Sequence, residues 1–389
     1  MADENFRASI VLDISQAVKA YTALRQDHLS MVSALGAGEG ALRQVGQGFV
    51  DAAQMMAGGI LTAVGAAGEF ERKLDFFGAV SNTTQDEYEA IRKKALQLGA
   101  DTIYSAGEIA DSFVELAKSG VNAQDVFDGI GEAVANLGAA TDIPLAEAAT
   151  SLTTILNTFK ISAEDSVDVV DRLAGAANSS SIDVGDLITT MTYAGASAAT
   201  AGISFNDVNT AIALLGERGI KASKAGTGLR QMFDKLIAPT NKGKEALAGL
   251  GIVLEDGSNQ LLDMNGNLKP IPQLLDILNG SLAGLTSSEK MDVLGNIFPI
   301  TSLPTILNLL DGGSDAMARL NGEITKTTAM DIAGQRLDNL SGDIEYLRGE
   351  LETLATNVGL QFQDFARGIV QGLEDMVAWV NTLDPGHIS

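Results

Sequence analysis

The 389-residue chain carries 50 acidic and 26 basic residues, which gives a formal net charge of −24 at pH 7. A charge of this sign repels phosphate backbones, so we expect no direct nucleic-acid binding. The chain has no cysteine, which excludes a disulfide framework, a cysteine-based zinc site and thiol chemistry. Its length is sufficient for two or three domains with buried cores.

Residues 1–69 are predicted to form a short strand followed by helices. Phe6–Asp13 alternates as a brief strand does, and Ser15–Val45 carries a helical apolar stripe. His28 lies on that stripe without a second residue at metal-ligand spacing, so we interpret it as a packing residue. The N-terminus lacks a basic flank followed by an apolar run, so no secretory signal is predicted.

The segment Ala52–Gly68 carries no charge and resembles a membrane helix. A spanning helix needs about 20 strongly apolar residues, whereas this segment is diluted by four glycines and two polar residues. Small residues favour close helix-helix contacts. We therefore predict a buried or subunit-facing helix, with membrane insertion as the alternative.

From Thr83 to Ala238 the sequence predicts a series of short helices, each with its own start signal. A capping residue is followed three positions later by an acid, as in Thr84 with Glu87, Ser105 with Glu108, Asn122 with Asp125, Ser162 with Asp165, and Ser204 with Asp207. Glycines at the joints suit helix C-termini. We predict a mainly α, multi-helix domain over residues 70–325.

Several motifs follow one another in a fixed order between about residues 60 and 310. They are Gly68-Glu-Phe-Glu71, Ala95–Ala110, Leu116-Ala-Lys-Ser-Gly120, and Gly219-Ile-Lys-Ala-Ser-Lys-Ala-Gly-Thr-Gly-Leu-Arg230 with Pro239. Together they resemble the core domain of phage tail tape measure proteins. The residues of the last motif that we take as most characteristic are Gly219, Ser223, Ala225, Gly226, Thr227, Leu229 and Arg230. The sequence departs from the family where Ala222 replaces a usual Gly and where Phe298-Pro299 replaces a common Phe-Gly.

The last motif is predicted to be a turn into a helix, with Gly226 and Gly228 allowing close backbone approach. It also lies in the only basic island of the chain, which contains Arg218, Lys221, Lys224, Arg230 and Lys235. Such an island suits docking to an acidic subunit or tail protein. The alternative is a solvated surface that offsets the acidic remainder.

After Pro239 the pattern predicts one small β-hairpin near residues 252–268. Ile252–Leu254 and Gln260–Leu262 flank the turn-forming segment Glu255–Asn259. Short helices are predicted to resume from Ile271.

The last predicted element is a long coiled-coil-like helix within residues 326–389. Its apolar positions alternate in steps of three and four, with Leu337, Leu340, Ile344, Leu347, Leu351, Leu354 and Val358 at the a and d positions of a predicted oligomer seam. No proline interrupts Thr305–Asp384, so one helix from about Thr327 would reach roughly 85 Å. The alternative is that this stripe folds back on the chain's own domain.

No catalytic constellation is present in the sequence, so we predict neither an enzyme nor a catalytic, cofactor or metal site. The two histidines are far apart, and neither Gly-x-Ser-x-Gly nor His-Glu-x-x-His occurs. The resemblance implies a structural tail protein that sets tail length, scaffolds tail tube assembly and is released during genome delivery. The alternatives are a membrane-active or pore-forming protein that uses Ala52–Gly68, and a hydrolase built on unrecognised carboxylates.

The resemblance also implies partners. We expect self-association through the seam, with a trimer favoured and a hexamer as the alternative. Further partners implied are tail tube, tail tip or baseplate proteins and tail assembly chaperones, with host membrane contact during infection. The implied locations are the virion tail and, during assembly, the bacterial host cytoplasm. We also expect the native chain to continue beyond Ser389.

Overall fold

The computed structural model describes the backbone of residues 62–381 and the side chains of residues 62–363. The described part consists of α-helices and contains no β-strand, which confirms the mainly α prediction. The first helix, α1, includes residues 62–81. The others are α2 Gln85–Asp101, α3 Ala106–Lys118, α4 Gly131–Thr141, α5 Leu145–Phe159, α6 Ser166–Ser179, α7 Val184–Thr200, α8 Phe205–Glu217, α9 Ala222–Ile237, α10 Asn241–Gly249, α11 Ile271–Leu282, α12 Ser287–Ile297, α13 Leu303–Ile324, α14 Ala329–Leu337 and α15 Leu340–Asn381.

The chain divides into two compact units. The larger unit is Lys73–Glu350, and the smaller one contains the described residues 62–72 and 351–381. Within the larger unit α9 packs mainly on α7, α13 packs on α8 and α11, and α14 packs on α4 and α6. The core is filled by Leu, Ile and Ala with fully buried phenylalanines such as Phe113 and Phe233. Because many core residues are small, helix backbones approach closely.

The predicted helix starts are largely present in the structure. Complete capping boxes form at Thr84, Ser105 and Asn122, in which side chain and backbone bond reciprocally. Ser204 also accepts a hydrogen bond from the backbone N–H of Asp207. Ser162 differs, because its hydroxyl bonds the Asp165 carboxylate and accepts from no backbone N–H.

Five helices of the described part end in the same joint, a left-handed residue followed by Val or Ile. The N–H of that Val or Ile bonds to the carbonyl five residues earlier, as in a Schellman motif. In four of these joints the left-handed residue is a glycine, and in the fifth it is Lys160 at φ +55°. The five segments, with the Lys160 joint last, are Leu116–Val121, Ala198–Ile203, Leu215–Ile220, Leu247–Ile252 and Leu156–Ile161. The segments Gly120-Val-Asn-Ala-Gln-Asp-Val126 and Gly202-Ile-Ser-Phe-Asn-Asp-Val208 are similar in sequence, and each begins with the left-handed glycine of such a joint.

The predicted hairpin near 252–268 is not confirmed as a pair of strands. The region contains two single antiparallel bridges, Val253 with Asn259 and Leu262 with Leu268. The ladder stops after one pair because Asp263 turns the chain again directly after Leu262. The Asp263 carboxylate accepts backbone hydrogen bonds from Asn265 at 2.8 Å and Asn267 at 2.9 Å.

The prediction of one uninterrupted helix from about Thr327 is wrong. The chain leaves the helical path at Asp338, and Asn339 then caps α15 by accepting from the backbone N–H of Ser341 at 3.0 Å. Leu337, the first predicted seam residue, ends α14 and is buried. Within the described side chains no second helix packs along the seam, so the coiled coil is not confirmed.

In the smaller unit, α1 and α15 make a close contact through small residues. A Cβ built on Gly359 would overlap the Ala63 carbonyl and lie 2.8 Å from the Ala67 Cβ. Gln363 donates a hydrogen bond to Glu71. The described part of Ala52–Gly68 therefore packs on a helix, whereas residues 52–61 and the elements predicted over residues 1–51 lie outside the described residues. Among the helices that the structure describes, none is long and apolar enough to cross a membrane.

Candidate functional site

The predicted seam residues of α15 lie at the protein surface. Leu340 is 75% exposed, Ile344 and Leu347 are 58% and 55% exposed, and in the smaller unit Leu351 and Leu354 are 55% and 39% exposed. Val358 is half-buried. Five large apolar side chains in the described part of one helix thus face solvent, and the alternative that they fold back on the chain's own domain does not hold for them.

The opposite face of α15 consists of small residues. Gly342 and Gly349 are buried in the larger unit, and a Cβ built on Gly349 would lie 2.6 Å from the carbonyl oxygen of Ile103. In the smaller unit Thr353, Thr356 and Gly359 are buried. The helix therefore uses glycine and threonine for packing and leaves its large apolar residues available for another surface.

The motif with Gly219–Arg230 lies at the start of α9, where it makes the turn and the packing surface. Gly219 has φ +74°, and Ala222 has φ +49°, a left-handed conformation that favours glycine. A Cβ on Gly226 would lie 2.5 Å from the Cβ of Tyr193 on α7, and one on Gly228 would overlap Thr305 on α13. The close approach expected at both glycines is thus present, and it brings α9 against two helices.

The remaining motif residues divide between core and surface. Ala225 and Leu229 are buried, Thr227 is half-buried, and Ser223 and Arg230 are exposed. The motif therefore combines a packing role with an exposed face that carries a positive charge.

The basic island separates into one paired residue and a group without ion pairs. Arg218 forms an ion pair with Asp311 and so belongs to the fold. No ion pair is recorded within the described part of the chain for Lys221, Lys224, Arg230 or Lys235, of which Lys224 and Arg230 are exposed. These four residues, which share the exposed side of α9 with the acidic Asp234, are called the basic face below.

Two exposed apolar side chains lie close to α9 and were missed by the sequence reasoning. Tyr193 adjoins Gly226 as described, and Ile300, which is 80% exposed, precedes Thr301, whose hydroxyl lies 3.1 Å from the side-chain oxygen of Gln231 on α9. Neither lies near the motif in sequence, so only the fold brings them there.

Two partly buried carboxylates have a raised pKa, yet their hydrogen bonds indicate structural roles. Burial raises the pKa of Asp207, whose carboxylate accepts from the Ile271 N–H at 3.2 Å. Burial likewise raises the pKa of Asp171, which accepts from the Ala329 N–H at 2.7 Å. Each carboxylate caps the first turn of a distant helix. No cluster of residues suitable for a metal ion occurs among the described residues.

Comparisons with known proteins identify related chains. Residues 92–298, more than half of the chain, match the family model described as phage-related minor tail protein. The tape measure protein of Pneumococcus phage Dp-1 is 27% identical over 318 residues, which are 81% of this chain and 27% of that protein. A probable tape measure protein of Escherichia phage P2 is 26% identical over 316 residues, 78% of this chain and 37% of that protein. The chain thus spans well under half the length of these relatives, and no solved structure matches it.

Proposed function

The chain belongs to the family of phage-related minor tail proteins, and we propose that it acts as part of a tape measure that sets tail length. It is a phage tail structural protein. In the proposed mechanism helical residues act as a template, each adding about 1.5 Å around which tube rings stack. Scaffolding of tube assembly, and release during genome delivery, belong to the same proposal.

The observation that carries this proposal is the two-faced character of α15. Its small residues pack on the protein, while Leu340, Ile344 and Leu347 remain exposed in the larger unit and Leu351 and Leu354 in the smaller one. A contiguous row of exposed apolar side chains usually marks an interaction site, because contact with a partner removes this apolar surface from water.

We propose that copies of the chain associate along this stripe as a parallel bundle, with a trimer favoured and a hexamer as the alternative. The heptad spacing of the exposed residues supports it, and Asp343 and Arg348 would attract each other across neighbouring helices. Tail tube, tip or baseplate proteins, assembly chaperones and the host membrane remain proposed partners. Assembly in the host cytoplasm is proposed as well. A structural role is proposed over the membrane-active and hydrolytic alternatives, which the named relatives do not favour.

A change in helix length tests the ruler directly. Four tandem duplications of the heptad Leu347–Thr353 would add 28 residues and keep the seam in register. In a phage that carries this gene, electron micrographs should show tails about 42 Å longer, at 1.5 Å per residue. Unchanged tail length would contradict the proposal.

A matched insertion provides the control. An insertion of equal length, made of 28 Gly and Ser residues, is placed in the exposed turn Glu255–Asn259. It adds chain length without extending any helix. Tail length should then remain unchanged. Equal lengthening by both insertions would show that residue count, rather than the helix, sets the length.

A further inference from the structure

An open groove of about 710 Å³ lies between α14 and the first turns of α15. Its lining combines the apolar side chains of Met330 and Tyr346 with the carboxylates of Asp331, Asp338 and Asp343. Met330 is 70% exposed. The groove therefore offers apolar contact area surrounded by negative charge.

The groove carboxylates lie at the protein surface. Hydrogen bonds from the Thr328 backbone and hydroxyl hold the pKa of Asp331 below its usual range, so this residue stays ionised. Asp338 and Asp343 are exposed, and no ion pair of either is recorded among the described residues. A cationic partner would therefore find at least two carboxylates that the fold does not already use.

The basic face on α9 has the complementary composition. Lys224 and Arg230 are exposed without ion pairs in the described part of the chain, and Tyr193 and Ile300 supply exposed apolar area close to the same helix. Tyrosine and arginine are the residue types most enriched among energetically dominant interface residues. In a chain with a net charge of −24, these exposed cations are attracted to the acidic surface of another copy.

From these two surfaces we propose that the basic face of one copy docks in the α14–α15 groove of a second copy. The two surfaces lie on different parts of the larger unit, since α9 packs on α7 and α13 whereas α14 packs on α4 and α6. Different patches meeting in this way form a head-to-tail contact, which closes a ring when the rotation between copies allows it. Opposite charge sets the register of such a contact. The inference rests on the proposed self-association and adds a second, polar contact to the α15 seam.

Because the natural chain contains no cysteine, a single introduced pair gives a clean test. Full-length Lys224→Cys chain is mixed with full-length Asp343→Cys chain under mild oxidation. The expected result is a disulfide-linked heterodimer at least tenfold more abundant than for a control mixture of Lys93→Cys with Asp343→Cys. Raising the salt to 1 M, where the screening length is about 3 Å, should reduce the linked product several-fold. Cross-linking at the level of the control pair overturns the proposal.

Charge reversal provides an independent measurement by sedimentation. Lys224→Glu alone, or Asp338→Lys alone, should weaken the contact at least tenfold. Both changes in one chain should restore it, because every copy again carries complementary surfaces. A double variant that associates as weakly as the two single variants overturns the proposal.

Failure of this inference is distinguishable from failure of the proposed function. Leu347→Cys alone reports the seam, since equivalent residues of a parallel bundle face one another. If Leu347→Cys cross-links and the Lys224–Asp343 product does not form, the groove contact is rejected and the seam is supported. If only the Lys224–Asp343 product forms, the seam is rejected and the groove contact is supported.

Discussion

Gly228 of α9 and Thr305 of α13 touch at a point where no Cβ fits. A methyl group on Gly228 would overlap the hydroxyl and Cβ of Thr305, whose own oxygen is buried without a hydrogen-bond partner in the described structure. Since Gly226 makes a similar contact with α7, two glycines two positions apart fix α9 against two neighbours. The spacing of these two glycines is therefore explained by packing, and the exposed charges of the motif remain available for other roles.

Gly228→Ala should lower the free energy of unfolding by about 1–3 kcal/mol, because overpacking a close contact forces helices apart. The matched control is Gly280→Ala on α11, where a Cβ would meet nothing within 4 Å. That change should be neutral or stabilising by up to about 1 kcal/mol, since alanine favours a helix over glycine. Chemical denaturation of both variants measures the difference. Equal stability of the two variants would show that the close contact is absent.

Ala222→Gly should stabilise the protein by about 1 kcal/mol, because alanine is strained at φ +49°. Ala90→Gly in the middle of α2 is the control and should cost about 1 kcal/mol. The measurement is the midpoint of thermal unfolding. A loss of stability in both variants would contradict the left-handed conformation at Ala222.

The sequence predicts those features of the fold that depend on residues close together in the chain. It fails to predict features that depend on contacts between residues far apart in the chain. The boxes at Thr84 and Ser105 depend on residues three positions apart, so their pattern predicts them directly. The break after Leu337 was missed because the step from Leu337 to Leu340 continues the heptad spacing. A signal was nevertheless present in Thr328 with Asp331 and in Asn339, which are start signals for two separate helices. The exposure of the seam depends on Gly349 meeting Ile103, which no local pattern encodes.

Asp207 should make stability depend on pH in the opposite direction to a capping-box acid. Burial raises its folded pKa above the unfolded value, so its favourable contribution is complete below about pH 3.8 and is lost as pH rises through the folded pKa. Asp207→Asn keeps an oxygen for the Ile271 N–H and removes the charge. The variant should therefore gain stability relative to the natural chain as pH rises from 3 to 7.

Glu289→Gln is the control with the opposite sign. Hydrogen bonds from Thr286 lower the folded pKa of Glu289, so its contribution is present above the unfolded pKa of about 4.5 and is lost as pH falls. This variant should lose stability relative to the natural chain over the same rise in pH. Urea denaturation at several pH values measures both slopes, and slopes of the same sign would contradict the assignments.

Arg336→Ala should loosen α14 from α4. One guanidinium nitrogen donates to the Ala139 carbonyl at 2.7 Å, and another lies 2.5 Å from the Asp142 carboxylate. Because hydrogen bonds of charged groups contribute about 1.5–3 kcal/mol and this one is partly exposed, we expect a loss of about 1–2 kcal/mol. Lys118→Ala, which removes a surface pair with Glu115 and a cation–π contact 5.8 Å from the ring centroid of the exposed Phe76, should cost less than about 1 kcal/mol. Equal losses would show that Arg336 does not anchor α14.

The central claim is that the exposed stripe of α15 joins copies of the chain, and light scattering on the purified protein tests it most directly. Ile344→Asp with Leu347→Asp places two charges in the seam, whereas Glu345→Asp with Glu350→Asp places two aspartates on the same helix outside it. The account predicts a trimer for the natural chain and the control, and a monomer of unchanged helical content for the seam variant, because both replaced side chains are already exposed in one copy. The melting temperature of that variant should fall only by the stabilisation that association gives the trimer. A natural chain that is monomeric, or a seam variant of unchanged mass, would contradict it.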